Sequence, residues 1–392
     1  MVEKILDELD VKLYYEDSYI EEFEAEVLSC EKADENYRIV LDCTAFFPEG
    51  GGQSADTGTL GGAMVVDVQE EEGCIYHVTD KPLEVGSRVT GRIDFEKRFD
   101  KMQQHTAEHI VSGLIHNFFG FDNVGFHLGN DVVTMDFNGE LSEEELRLVE
   151  LKANEAVVDN LVVETRFPDK EELDKMYYRS KMEISGAVRI VIIPDYDVCA
   201  CCAPHVETTG EIGIIKLVGA EKYKGGMRVS MVCGFRALSD YNRKEKSVKE
   251  LSVRLSAKPD EVVEAVKRLE DQLLNEKAKY AKFMDFYVKE KLADVKASDK
   301  MVFLCVEGLL ANTMRNFVNG AMEITDGLCC VFSGNEEGYN YILGSRTYEV
   351  TDIAKKMNES FSGKGGGKPP MVQGSLKGPI EEIREFLMAC LN

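Results

Sequence analysis

The chain has 392 residues, enough for two to four domains, because one hydrophobic core seldom grows past about 250–300 residues. Its formal charge of −25 excludes nucleic-acid binding over the whole surface, since phosphate contacts need Lys and Arg. No apolar run nears the roughly 20 residues that span a bilayer, the N-terminus lacks the apolar centre of a signal peptide, and eleven scattered cysteines read as reduced thiols; together these predict a cytoplasmic protein with no membrane partner.

Residues 1–95 read as a small antiparallel β-barrel domain. Over 22–27, Phe23, Ala25 and Val27 alternate with three glutamates, the pattern of a half-buried strand. Similar runs recur at 37–42, 63–68 and 74–78, separated by Gly and acidic clusters. Within this region lies Phe46-Phe47-Pro48-Glu49-Gly50-Gly51-Gly52-Gln53. Three consecutive glycines permit positive φ and close approach of a ligand to the backbone. A β-turn is the plainer reading of the glycines alone. The flanking Pro48 and Gln53 favour a loop in which Gly51, Gly52 and Gln53 bind substrate, Gln53 by donating and accepting hydrogen bonds.

From Arg98 the pattern becomes helical, with Met102, His105, His109 and Gly113 on one face and Phe119-Gly120 as the C-cap. In the pentapeptide HTAEH, two imidazoles four residues apart lie one above the other on a helix. A lone HxxxH is more often a pair of solvated or core histidines than a metal site. Residues 132–137, 188–193 and 213–218 read as strands, and 141–160 as an amphipathic helix opened by a capping box at Ser142. Cys201-Cys202-Ala203-Pro204-His205 therefore falls in a loop between strands, which must fold back over the histidine helix. The combined set His105, His109, Cys201 and His205 suits tetrahedral Zn²⁺ with N and S ligands. The expected unit is an α+β domain over 96–240.

Residues 241–298 read as a helical or coiled-coil linker, with Pro259 in the first turn of its second helix. Val262, Val266, Leu269, Leu273, Tyr280 and Tyr287 form a seam that fits either packing within the chain or homodimerisation. Over 241–300 there are 15 Lys and Arg against 12 Asp and Glu, a solvated face on the plain reading and the one basic-leaning stretch of an acidic chain. From 299 to 392 strands alternate with helices, as in a separate small α/β domain. Gly363-Lys364-Gly365-Gly366-Gly367-Lys368-Pro369 reads as a glycine-rich turn. On it Lys364 and Lys368 present ammonium groups to phosphates, or it is merely a flexible loop. It is not a P-loop, since no GxxxxGK[ST] is present.

The stretches FFPEGGGQSADTG, HTAEH, CCAPHVETTGEIG with the later GGMRV, and GKGGGKPPMVQGS resemble the editing half of alanyl-tRNA synthetases. In particular they resemble the free-standing AlaX-type trans-editing proteins with a C-terminal extension. The matching pieces run from residue 46 to 375. The sequence departs at Cys202-Ala203-Pro204, where the synthetases usually carry two glycines inside CxxxH; the outer ligands remain and a second thiol is added. Editing-type sequence begins almost at residue 1, with no class II aminoacylation domain, so the chain is expected not to charge tRNA. The resemblance implies hydrolysis of the ester joining serine, or glycine, to alanine tRNA, with Zn²⁺ at His105, His109, Cys201 and His205. It also implies an α+β fold in four parts. These are an N-terminal small β-barrel, a zinc-bearing α+β editing domain, a helical linker, and a DHHA-type C-terminal α/β domain that holds tRNA and assists dimerisation.

The chemistry leaves roles open. An aminoacyl ester is already activated, so a positioned water and charge stabilisation suffice. Glu108 is the candidate catalytic base, unless its place beside His109 turns it outward to solvent. Four protein ligands close a tetrahedral site, as in structural zinc. The alternative function is therefore a tRNA-binding or RNA-binding module without turnover. HTAEH also fits HxxEH of the inverted zincins, whose Glu is a general base; the Cys201 and His205 pair argues against a peptidase.

Overall fold

A computed structural model of the chain describes residues 12–180 and 188–391, so the first eleven residues of the expected barrel segment lie outside the described residues. Alternation of apolar and acidic residues makes the first strand. In β1 (Glu22–Ala33), Phe23, Ala25 and Val27 turn inward while Glu22, Glu24 and Glu26 stay in solvent. β2 (Asn36–Leu41), β3 (Gly58–Leu60), β4 (Ala63–Glu71), β5 (Cys74–Thr79) and β6 (Arg88–Ile93) follow. They join as a closed antiparallel barrel in the order β1-β2-β5-β4-β3-β6, with β6 returning to β1. Closure removes the exposed edges of the sheet. Phe23, Ile39, Leu41, Phe46, Leu60 and Val68 fill the interior.

α1 (Phe95–Phe119) leaves the barrel and is buried throughout 102–115. A helix covered on every side needs no polar face, so its polar residues point into protein. It ends at Gly120, whose φ of 70° and N–H bond to the His116 carbonyl form a left-handed cap. β7 (Asn123–Leu128) and β8 (Val133–Phe137) pair next. α2 (Glu143–Asp159) opens on a capping box in which Ser142 and Glu145 exchange hydrogen bonds. β9 (Glu164–Arg166), β10 (Ile190–Ile193) and β11 (Asp197–Ala200) form a three-stranded sheet. β12 (Ile215–Tyr223) and β13 (Gly226–Cys233) complete a four-stranded antiparallel sheet, order β12-β13-β8-β7. The strand expected from residue 213 starts at Ile215 instead. Thr209–Ile212 form a tight 3₁₀ turn, and Gly213 at φ 73° is not extended backbone.

The chain divides into compact units at 1–247 and 248–392, within α3 (Gly234–Leu255). In the second unit, α4 (Val262–Ala293) precedes β14 (Met301–Cys305), α5 (Ala311–Ile324), β15 (Leu328–Asn335) and β16 (Gly338–Gly344). After these come α6 (Val350–Ser360), β17 (Lys364–Lys368), β18 (Met371–Leu376) and α7 (Ile380–Ala389). The sheet order is β14-β15-β16-β18-β17, with only β14 and β15 parallel. Cys330, Phe332, Tyr341 and Leu343 face α6 and α7, while Cys329, Val331 and Ile342 face α4 and α5. Of the expected seam, Val262 is buried and Tyr287 half-buried, whereas Val266, Leu269, Leu273 and Tyr280 are exposed. The expected glycine-rich turn is a strand: Lys364 pairs with Ser375 and Lys368 with Met371 across an antiparallel ladder. The α+β architecture is as expected, from the barrel at the front to the α/β unit at the end.

Candidate metal centre

His105 and His109 rise one turn apart on the buried stretch of α1, and Cys201 and His205 come from the segment after β11. The structure brings one donor atom of each within 4.8 Å of the other three. Cys201 Sγ lies 3.6 Å from His105 Nε2 and 3.4 Å from His205 Nε2. Metal–nitrogen bonds of about 2.0 Å and a metal–sulfur bond of about 2.3 Å, set at the tetrahedral angle, separate N and S by roughly 3.5 Å. The spacing is that of ligands around one ion. Cys201 packs against both the barrel core and the core around α1, so the cluster sits where these two layers meet.

The other ring nitrogens point the same way. His105 Nδ1 donates to Gln53 Oε1 at 3.0 Å, and His109 Nδ1 to Asp197 Oδ2 at 2.9 Å. Thr106 Oγ spends its hydrogen on the Met102 carbonyl at 2.8 Å, so it accepts from His205 Nδ1 at 2.9 Å. Each histidine thereby carries its proton on Nδ1 and leaves the Nε2 lone pair for a metal. Asp197 is itself held by Arg179 through bonds of 2.7 and 2.9 Å. Arg189, 5 % exposed, donates from Nη1 to the carbonyls of Cys201 and Ala203 and so fixes the ligand loop.

Charge follows geometry. Burial by itself would raise the Cys201 thiol, but the imidazoles of His105, His109 and His205 bring it well below the ordinary cysteine range. Burial pushes His205 down to about 3, a neutral ring at working pH. The neighbouring Cys202 is exposed and stands outside the donor set. The cluster therefore takes Cys201 rather than Cys202, and its donor set fits Zn²⁺.

The loop over 46–58 meets the cluster from the barrel side. Gly51 and Gly52 have φ of 60° and 85°, and a Cβ on Gly52 would fall 2.8 Å from the Phe126 carbonyl oxygen. Only glycine fits there. Gln53, 1 % exposed, turns its Oε1 to His105, while its Nε2 makes no hydrogen bond among the described residues. The loop is pinned by Asp56, which accepts from the Phe47 N–H at 2.7 Å and from Arg98 Nε at 2.9 Å. Lys101 Nζ adds bonds to the carbonyls of Ser54 and Ala55.

Glu108 does not turn outward as its position in HTAEH allowed. It is 1 % exposed, with Oε2 4.0 Å from His109 Nε2 and Oε1 accepting from Ser112 and Asn123. The structure thus gathers His105, His109, Cys201, His205, Glu108, Gly51, Gly52 and Gln53 in one unit. Lys364 and Lys368 belong to the other unit, on exposed β17. Sequence reading missed Thr106, Asp197, Arg179 and Arg189. Thr106 lies inside the motif, and Asp197 is a lone buried acid beginning a strand; both were available signals.

Three family profiles match the chain. "Threonyl and Alanyl tRNA synthetase second additional domain" covers 188–230, "tRNA synthetases class II (A)" covers 6–97, and "DHHA1 domain" covers 298–392. The chain is 28% identical over 403 residues to the alanyl-tRNA editing protein AlaX-L of Pyrococcus horikoshii, covering 97% of this chain and 98% of that one. Mouse alanyl-tRNA editing protein Aarsd1 is 28% identical over 382 residues, 91% of this chain and 92% of its own. The alanine–tRNA ligase of Ignicoccus hospitalis is 30% identical over 371 residues; the match takes 91% of this chain and only 40% of the ligase. With three synthetase-related profiles along one chain and a match over nearly the full length of an editing protein, the chain is similar throughout to the long AlaX-type alanyl-tRNA editing proteins.

Proposed function

We propose that the protein is a trans-acting aminoacyl-tRNA deacylase, which hydrolyses the ester joining serine, or glycine, to alanine tRNA. The observation that carries this reading is the buried Cys-His₃ cluster with an amide donor, Gln53, on one side and a carboxylate, Glu108, on the other. The near full-length similarity to two alanyl-tRNA editing proteins supports the choice of substrate. Zn²⁺ held by His105, His109, Cys201 and His205 would supply Lewis acidity and a fixed positive charge beside the ester.

The chain's own residues have separable tasks. Gly51 and Gly52, at positive φ, let this loop pack against Phe126 and so set Gln53 beside His105. Gln53 Nε2 donates to a substrate oxygen, either the ester carbonyl or the serine hydroxyl, while its Oε1 stays on His105. Glu108 accepts a proton from the attacking water as general base. Water adds to the carbonyl carbon, the ester C–O bond breaks as the proton taken by Glu108 passes to the departing ribose oxygen, and the tRNA hydroxyl and the free amino acid leave. The reaction needs no oxidant or second substrate.

A second reading rests on the closure of the site by four protein ligands, the usual state of structural zinc. It describes an RNA-binding protein without turnover. Deacylation of purified Ser-tRNA(Ala) and Gly-tRNA(Ala), with Ala-tRNA(Ala) as control, separates the two. The expected result is rapid loss of serine or glycine, slow loss of alanine, and abolition of both zinc content and turnover in Cys201→Ala. Bound zinc and bound tRNA with no turnover would sink the deacylase.

A further inference from the structure

Two thiols stand side by side in the ligand segment, and only one of them joins the cluster. Cys201 Sγ lies 3.6 Å from His105 Nε2 and 3.4 Å from His205 Nε2. Cys202 is exposed, with its Sγ 3.9 Å from the position a Cβ on Gly51 would take in the loop on the barrel side. Ala203 turns inward again and is fully buried in the barrel core. This alternation is that of an extended segment, in which a slip of one residue moves every side chain to the other side. Both cysteines offer the same donor atom, so sulfur chemistry does not choose between them. The choice falls to whatever holds the register of residues 201–203.

Arg189, one residue before β10, holds that register with its main chain and its side chain together. Its carbonyl accepts from the Cys201 N–H at 3.0 Å, which carries the β10–β11 ladder one step past the Ile190–Ala200 pair. Its Nη1 donates to the Cys201 carbonyl at 3.0 Å and to the Ala203 carbonyl at 2.9 Å. One Nη1 carries two hydrogens, one for each carbonyl. Arg189 is 5 % exposed, and burying a guanidinium is costly unless its hydrogens find acceptors. The acceptors it finds are carbonyls of the ligand segment. Burial of Ala203 also resists a slip, but one methyl is a small anchor beside two buried hydrogen bonds to a charged donor.

We infer that Arg189 selects the metal-binding thiol: by clamping the carbonyls of Cys201 and Ala203 it turns Cys201 into the cluster and keeps Cys202 out. Arg189 is a positioning residue, because it acts on the ligand segment through main-chain carbonyls. Once the clamp is gone, the segment slips and Cys202 enters as a substitute sulfur ligand. The inference concerns the choice of ligand and does not depend on the deacylase reading.

The full chain tests it with cobalt as the probe, since a cobalt–thiolate bond gives a charge-transfer band that reports sulfur in the site whatever the activity. With Arg189 intact, Cys202→Ala is expected to keep the metal and the band, and Cys201→Ala to lose both. Arg189→Met keeps the bulk and removes every donor; alone it should weaken cobalt binding about 10- to 100-fold, the usual scale for a lost supporting partner. Combined with Cys201→Ala it should bring the band back, and adding Cys202→Ala should abolish it again. A merely structural Arg189 would lower metal content in every variant and never restore the band, so a folded Arg189→Met, Cys201→Ala protein without it overturns the inference. A band in Cys201→Ala with Arg189 intact would overturn it too, because Cys202 would then enter despite the clamp. Arg189→Gln, whose amide reaches one carbonyl at most, guards against loss of the fold: it should show the same exchange more weakly, and a folded series without exchange counts equally against the clamp. Iodoacetamide labelling read by peptide mass gives a second readout. Bound cobalt should protect Cys201 and leave Cys202 open in wild type, and should slow labelling of Cys202 about tenfold or more once Arg189→Met and Cys201→Ala are combined.

Discussion

At the residue scale, His77 shows how a buried titratable group outside the metal cluster writes a pH dependence into stability. Its Nδ1 lies 3.2 Å from the Ile39 carbonyl and its Nε2 2.8 Å from Thr44 Oγ, which also accepts from the Phe46 N–H. The ring therefore donates from Nδ1, accepts at Nε2 and is neutral. Burial pushes its pKa from 6.5 down to about 4. The folded state binds this proton less readily than the unfolded chain. Stability from the neutral ring is full above pH 6.5 and falls as pH drops through the window toward 4, by roughly 3 kcal/mol in all. Urea unfolding of wild type and His77→Gln between pH 7.5 and 4.5 should show the steeper acid loss in wild type. Equal slopes would rule this out, and comparing the two proteins removes acid effects common to both, including those of the metal ligands. The clustering of His105, His109, Cys201 and His205 was legible in the sequence because each pair has fixed local spacing. Thr106 and Asp197 stand in plain view in the sequence, but their pairing with His205 and His109 does not, since it arises only when α1 packs against β11 and the segment after it. A polar residue at the start of a strand or inside a buried helix carries no periodic signal.

At the element scale, one glycine sets how closely α1 approaches the turn between β10 and β11. A Cβ on Gly113 would lie 2.3 Å from the Tyr196 carbonyl oxygen and 2.9 Å from Asp197 Cβ. The first of these is backbone and cannot swing aside. Because Asp197 receives the Nδ1 proton of His109, any retreat of the turn loosens a metal ligand. Gly113→Ala is expected to cost about 1–3 kcal/mol through overpacking and to weaken zinc binding about tenfold or more. Competition with a chelator and thermal unfolding check the two effects. A variant as stable as wild type, with unchanged zinc affinity, would show that the turn moves away at no cost. Sequence reading placed Gly113 on the histidine face of the helix without seeing why it must be small, because the reason lies more than eighty residues away. The reverse error arose at β17, where Lys364 and Lys368 flank three glycines. Glycine has little preference for strands, so the stretch reads as a turn. Its ladder with β18 decides otherwise, and tertiary pairing overrides propensity.

At the scale of the whole molecule, a chain with a formal charge of −25 has to meet a polyanion through a small part of its surface. In β17 all five residues are exposed, and the three glycines leave the backbone bare between two ammonium groups. A groove of about 430 Å³ runs between α6 and this strand, lined by Lys355, Asn358, Lys364 and the glycines 365–367. Lysines placed so contact phosphates as point charges, without reading bases. We therefore expect Lys364→Ala with Lys368→Ala to weaken binding of alanine tRNA about 10- to 100-fold at moderate salt. The slope of log K against log salt should become shallower by roughly 1 to 2, since each lost phosphate contact removes about one released counterion. Turnover of saturating Ser-tRNA(Ala) and zinc content should stay as in wild type, because the lysines lie in the unit that carries none of the metal donors. Binding measured across a salt series decides the matter. An unchanged slope would move the tRNA contact away from β17 and toward the basic-leaning stretch over 241–300, where 15 cationic side chains stand among 12 acidic ones.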